Sequence, residues 1–234
     1  MGDSGLEMGF KDHGHGKRTA LLAGGTGAVG DELLQLLVAS VIFDRIHCIG
    51  RRTIKGSSEK VVQHVIDFET LEDFSPEDPI DDVFCTLGST IQTAGSAAAF
   101  RRVDYDYVLK LGGMAKHLNA SFSVVSSIGA STHATSLYLR TKGEMEQALQ
   151  ALGLRSLRIF RPSLLQGSLR RSDFRLKEVL SGAALAVLGP LFFHGAFRKY
   201  RSICPAQVAR AMYESGRHDT TATSIVESDV IQRF

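Results

Sequence analysis

The stretch LLAGGTGAVGDELL, residues 21–34, spaces Gly24, Gly27 and Gly30 three apart between an apolar run and a helix-like segment. Glycine costs the most chain entropy to fix. Three at regular positions in a strand-to-helix turn therefore point to a backbone that must bend tightly and leave room above itself. A diphosphate needs that room, and the helix that follows offers it unpaired N–H groups and a positive dipole end. The spacing is G-x-x-G-x-x-G rather than G-x-G-x-x-G, so its place after a strand carries as much of the reading as the glycines do. Thr26, Ala28 and Val29, interleaved with them, complete the candidate phosphate loop.

Apolar and β-branched runs recur at RTALLA (18–23), RIHCIG (45–50), VVQHVIDF (61–68), DDVFCTLG (81–88), SFSVVSS (121–127) and LRSLRIFRP (154–162). Helix-like stretches at 31–39, 97–118 and 137–152 separate most of them. The alternation predicts an α/β fold, a doubly wound parallel sheet buried on both faces. At 234 residues one domain over 18–234 is expected, preceded by a disordered leader at 1–17 whose His13 and His15 are solvated. Residues 163–203 break the rhythm and are expected to roof the substrate side. Within them Val179 to Phe197 is apolar, but Gly182, Gly189, Pro190, His194 and Gly195 interrupt it. A lid or a buried helix with a turn fits it better than an integral membrane span; contact with a membrane surface is the alternative.

A net charge of +2 gives no field to gather nucleic acid. Cys48, Cys85 and Cys204 are odd in number and form no C-x-x-C pair, which suits a reducing compartment rather than disulfides or zinc. Together with a leader lacking the apolar core of a signal peptide, this leads to an expected cytoplasmic location.

The second strand ends in IGRR, placing Arg51 and Arg52 where a cofactor without a 2′-phosphate usually meets an acidic side chain. A guanidinium grips a dianionic phosphate through paired charge-assisted hydrogen bonds, so NADP(H) is expected over NAD(H), unless the two arginines are merely a solvated loop. Asp67 and Phe68, at the end of the third run, suit an adenine amino group and ring; a helix cap at Asp67 is the competing reading. Leu87 and Gly88 end the fourth strand, where a small residue lets a ribose lie against the main chain.

Ser127 ends the fifth strand, and Tyr138 and Lys142 follow four apart on one helix face. A phenol alone titrates near 10, but a nearby ammonium favours its phenolate. In reduction the same hydroxyl would give its proton to a developing alkoxide while Ser127 hydrogen-bonds the substrate oxygen. Y-x-x-x-K is common by chance; the serine and the phosphate loop give it weight.

GGTGAVG, IGRR, VIDFETLEDF, FCTLGST, FRRVDYDYVLK, VSSIGA, YLRTKGEME and FRPSLLQG together resemble the short-chain dehydrogenase/reductase superfamily, over about residues 18–213. Within it they resemble the atypical branch named for the human Tat-interacting protein oxidoreductase. The resemblance implies an NADP(H)-binding Rossmann fold with a small C-terminal substrate region. It implies acid/base chemistry at Tyr138, support of that tyrosine and the cofactor ribose by Lys142, and carbonyl orientation by Ser127 with Ser126 as neighbour. It also places Pro162 and Leu165 beside the nicotinamide and makes Arg175 a candidate phosphate contact. Asp104 falls where many extended members carry an asparagine, which puts their proton-relay water in question.

The expected function is an NADP(H)-dependent oxidoreductase acting on a small apolar carbonyl or alcohol. Two other functions stand beside it: an NADPH-sensing interaction protein without turnover, and a redox-neutral isomerase or epimerase. The fourth and fifth helices are the expected surface for a homodimer.

Overall fold

The computed structural model describes residues 17–54, 56, 58–166, 201–217 and 221–234. Seven parallel strands form one sheet in the order β3-β2-β1-β4-β5-β6-β7. They are β1 (Arg18–Ala23), β2 (Phe43–Gly50), β3 (Val61–Val65), β4 (Asp82–Cys85), β5 (Ser121–Val125), β6 (Leu157–Arg161) and β7 (Thr223–Glu227). The doubly wound α/β class is thus present, with one strand, β7, beyond those read from the sequence. Its TSIVE is short and largely exposed, so it lacks the continuous apolar run that marks a central strand.

The helices are α1 (Ala28–Ala39), α2 (Ile91–Ala94), α3 (Ala97–Arg101), α4 (Tyr107–His117), α5 (Leu137–Ala151), α6 (Pro205–Gly216) and α7 (Ser228–Ile231). A 3₁₀ segment spans Phe68–Asp73 and a π-helical turn spans Arg102–Asp106. Side chains alternate across the buried strands: Leu21 and Ala23 of β1 face a core with α4, α5 and the 3₁₀ segment, while Ala20 and Leu22 face α1 and α6. Both faces are covered, which explains the near-unbroken apolar strands.

The strand order reverses between β1 and β4, and the crevice at the carboxyl ends there is where such sheets bind ligands. A buried ion pair fixes the far ends of these two strands. Arg18 Nη2 meets Asp82 Oδ2 and Arg18 Nη1 donates to Gly216 O at 2.8 Å, so β1, β4 and α6 are tied together. Burial raises the Asp82 carboxyl to about 6, against the pull of Arg18.

Candidate active site

Above the crevice lies a cleft of about 470 Å³ lined by Gly24, Thr26, Gly27, Arg51, Arg52, His64, Phe68, Leu87, Gly88, Arg102 and Tyr107, among others. The three glycines of the loop serve different ends. Gly24 has φ +92°, and a Cβ there would lie 2.7 Å from Thr86 Oγ1. One on Gly30 would lie 2.1 Å from Gly24 O, so both positions are fixed by the fold. A Cβ on Gly27 would meet only Gly24 O, at 3.3 Å, a tight contact that a shift of a few tenths of an ångström relieves, so crowding within the protein weighs far less there than at Gly24 or Gly30. Gly27 is also the N-cap of α1 and offers it no side-chain cap, which leaves first-turn N–H groups facing an open gap. This is a cradle that suits a phosphate. Thr26 and Ala28 are exposed around it, whereas the Val29 side chain packs into the α1–α6 core and can offer only its backbone.

Arg51 and Arg52 are exposed where β2 runs out, on the cleft wall. Leu87 and Gly88 line it after β4. Asp67 does not end a strand, because β3 stops at Val65; its Oδ1 accepts from Glu69 N at 2.9 Å and caps the 3₁₀ segment. The carboxylate is thus committed to a helix end. Phe68 is buried, stacks on Tyr107 with ring centroids 5.3 Å apart, and is among the residues lining the cleft.

Tyr138 and Lys142 project from one face of α5, both buried. The Tyr138 ring leans on Phe100, centroids 5.7 Å apart. Ser126, Ser127, Tyr138, Pro162 and Leu165 line a common small cavity of about 40 Å³, so the structure brings the candidate serine, phenol and carboxyl-end residues together. Ser127 Oγ donates to Ile128 O at 3.3 Å, while Ser126 Oγ donates to Glu146. Glu146 is in turn gripped by Arg161, whose Nε donates at 3.0 Å to Oε1, and Arg161 Nη1 donates at 3.0 Å to Glu227. This network spans the ends of β5, β6 and β7 and fixes them against α5. Ser126 thus ties β5 to α5 through its hydroxyl while also lining the small cavity beside Ser127.

Lys142 Nζ lies 2.8 Å from Asp104 Oδ1. Burial alone would push the ammonium toward neutrality; Asp104 and the nearby Tyr138 more than offset it and hold Lys142 above the ordinary lysine value. Asp104 Oδ2 accepts from Ser89 N at 2.8 Å and Ser89 Oγ at 2.7 Å. Burial pushes the Cys48 and Cys85 thiols up to about 12, so neither is a nucleophile at neutral pH.

Arg175 and most of the expected roof, residues 167–200, lie outside the described residues, as does the leader over 1–16. The apolar stretch 179–197 falls there too; among the described residues no helix is long and apolar enough to cross a membrane. Sequence reasoning missed Ser89, Arg102 and His64. His64 lines the cleft and sits 2.9 Å from His47 Nδ1, with His47 Nε2 2.8 Å from Asp78 Oδ2. A histidine at the fourth position of a strand carries no spacing signal, and Arg102 lines the cleft from the start of a π turn that apolar periodicity does not reveal.

No family model matches the sequence. Protein HTATIP2 of Rattus norvegicus is 38% identical over 153 residues, which cover 63% of this chain and 63% of the rat protein, under two thirds of its length. Protein FMP52-2 of Scheffersomyces stipitis is 35% identical over 163 residues, 67% of this chain and 69% of the yeast protein. Among solved structures, a short chain dehydrogenase from Burkholderia cenocepacia in complex with NADP has a TM-score of 0.61 at 14% identity, covering 92% of this chain and 90% of its own. A Helicobacter pylori ADP-L-glycero-D-manno-heptose-6-epimerase also has a TM-score of 0.61, at 15% identity over 94% of this chain and 79% of its own. These two share the fold.

The comparisons correct the expected cytoplasmic location, since the yeast and other fungal relatives are named as mitochondrial proteins. Unpaired cysteines ask only for a reducing milieu and do not single out one compartment. With its sheet order, its glycine loop and this identity to the fungal proteins, the chain belongs to the atypical short-chain dehydrogenase/reductases, in the branch that holds HTATIP2 and the FMP52 proteins.

Proposed function

We propose that the protein is an NADP(H)-dependent oxidoreductase that interconverts a small apolar carbonyl compound and its alcohol. The observation that carries this reading is the side-chain-free gap over Gly27, open onto a cleft that has two arginines on its wall. The first-turn N–H groups of α1 would hold the diphosphate, with Thr26 and Ala28 beside it. Arg51 and Arg52 would hold the 2′-phosphate, Phe68 would flank the adenine, and Leu87 and Gly88 would lie along the ribose. Pro162 and Leu165 would border the nicotinamide, which when bound supplies or accepts the hydride. Ser127 orients the substrate oxygen, Tyr138 gives it a proton or takes one back, and Lys142 supports Tyr138. We assign residues 163–203, with Arg175, to the substrate side of a single domain over 18–234, and pairing of two copies to α4 and α5. From the names of the fungal relatives we place the protein in mitochondria, which fractionation of cells expressing the full chain tests.

Screening the purified protein for NADPH oxidation against aldehydes, ketones and quinones tests the activity. Product analysis without net NADPH oxidation would favour the epimerase reading, which the fold also accommodates. Arg51→Ala together with Arg52→Ala is expected to weaken NADPH by about 1–3 kcal/mol more than NADH, the worth of the charged hydrogen bonds removed. Calorimetric titration with both dinucleotides measures the difference; equal losses would take the 2′-phosphate away from these arginines.

A further inference from the structure

We propose that Asp104 is a positioning residue, the counter-ion that holds the Lys142 ammonium in place on the Tyr138 face of α5. The side chains of Lys142 and Asp104 are 3% and 0% exposed, and their charged atoms are 2.8 Å apart. An ammonium that deep needs a compensating charge. Asp104 is fixed from its other side as well, because both the N–H and the hydroxyl of Ser89, a cleft-lining residue, donate to Oδ2. Its backbone sits in the π-helical turn Arg102–Asp106, and it is the buried residue of that turn. Such turns give up regular helical bonding and recur at functional sites.

The other titratable groups facing Lys142 do not substitute for it. Cys85 on β4 is held neutral by burial, Tyr138 on α5 offers a hydroxyl rather than a carboxylate, and Glu146, one turn further along α5, is engaged by Arg161 and Ser126. Among the described residues, Asp104 is thus the carboxylate that serves Lys142. The proposal rests on the oxidoreductase reading only for what Lys142 does; the contact itself requires neither cofactor nor substrate.

The test is the stability of the full-length chain against pH, by denaturant unfolding, for the wild type, Asp104→Asn, Lys142→Gln and the double variant. In the wild type Lys142 is protonated in both folded and unfolded chains up to the ordinary lysine range, so this pair adds no slope below it. In Asp104→Asn the folded chain holds a buried lysine without a counter-ion, which sheds its proton, while the unfolded chain keeps it. The unfolded state then binds more protons, and stability relative to wild type must rise with pH. The expected slope is up to about tenfold in the unfolding equilibrium constant per pH unit between roughly pH 6 and 10. In the double variant that slope is expected to vanish, since both partners are neutral amides.

A purely packing role would lower the Asp104→Asn curve equally at every pH and would overturn the proposal, as would a slope that persists in the double variant. If Asp104→Asn does not fold but the double variant does, the uncompensated ammonium is the cause and the proposal stands; if neither folds, it falls. NADPH affinity, measured alongside, is expected to decline with rising pH in Asp104→Asn and to hold in the wild type. A wild type that binds no NADPH would sink the oxidoreductase reading and leave the stability result to decide Asp104 by itself.

Discussion

Tyr138→Phe is expected to lower turnover by about 10²–10⁴-fold, the usual worth of a positioned proton donor, with NADPH affinity almost unchanged. The substitution removes one oxygen and leaves the ring, so the packing on Phe100 persists. Tyr138 lines the small cavity with Ser127, Pro162 and Leu165 and is not among the residues lining the large cleft with the glycine loop. Removing it withdraws the proton that a developing alkoxide needs, and the wall that would grip the dinucleotide stays intact. Steady-state oxidation of NADPH with an accepted carbonyl, together with a binding titration, separates the two quantities. A cofactor-sensing protein without turnover would show no catalytic loss, because it has no alkoxide to protonate. A parallel loss of affinity would place the phenol against the cofactor instead.

The sheet was legible because its central strands are buried on both faces and read as continuous apolar runs. β7 escaped because an edge strand needs no such run. The candidate residues stood out where chemistry imposes a spacing: glycines in a loop, a tyrosine and a lysine one helical turn apart, arginines where a strand ends. Asp67 shows the limit of that logic, since an acidic residue after an apolar run serves an adenine pocket or a helix end equally well in sequence, and here it accepts from Glu69 N. Ser126 shows another. Adjacent serines at a strand end look alike in sequence, and only the fold shows that Ser126 donates to Glu146 of α5 while Ser127 donates to Ile128 O.

Asp104 was placed by register, yet its role could not be read, because the ion pair with Lys142 joins residues 38 apart through a π turn that apolar periodicity does not reveal. The same holds for Ser89, whose N–H and hydroxyl both donate to that carboxylate. Contacts of this kind depend on where two helices and a strand end converge, and pattern reading along one element carries no information about that.

Within the glycine loop, two substitutions are expected to fail in opposite ways. Gly27→Val should weaken NADPH roughly 10-fold or more, the loss of one or two charge-assisted hydrogen bonds at about 1.5–3 kcal/mol each. The fold should tolerate it, because Gly27 has φ −84° and ψ 165°, an extended conformation that valine favours, and a Cβ there meets only Gly24 O. The cost of a poor N-cap is about 1 kcal/mol. Gly30→Ala adds less bulk but drives its methyl to within 2.1 Å of Gly24 O and 2.8 Å of Gly24 C, and main-chain atoms in a tight turn cannot step aside. Its expected penalty is about 3 kcal/mol of stability, the upper end for overpacking. Denaturant unfolding and NADPH titration on both variants check the contrast. If Gly27→Val bound NADPH as the wild type does, the gap over the loop would have no diphosphate to hold, and the function argued from it would fail whatever the behaviour of Tyr138.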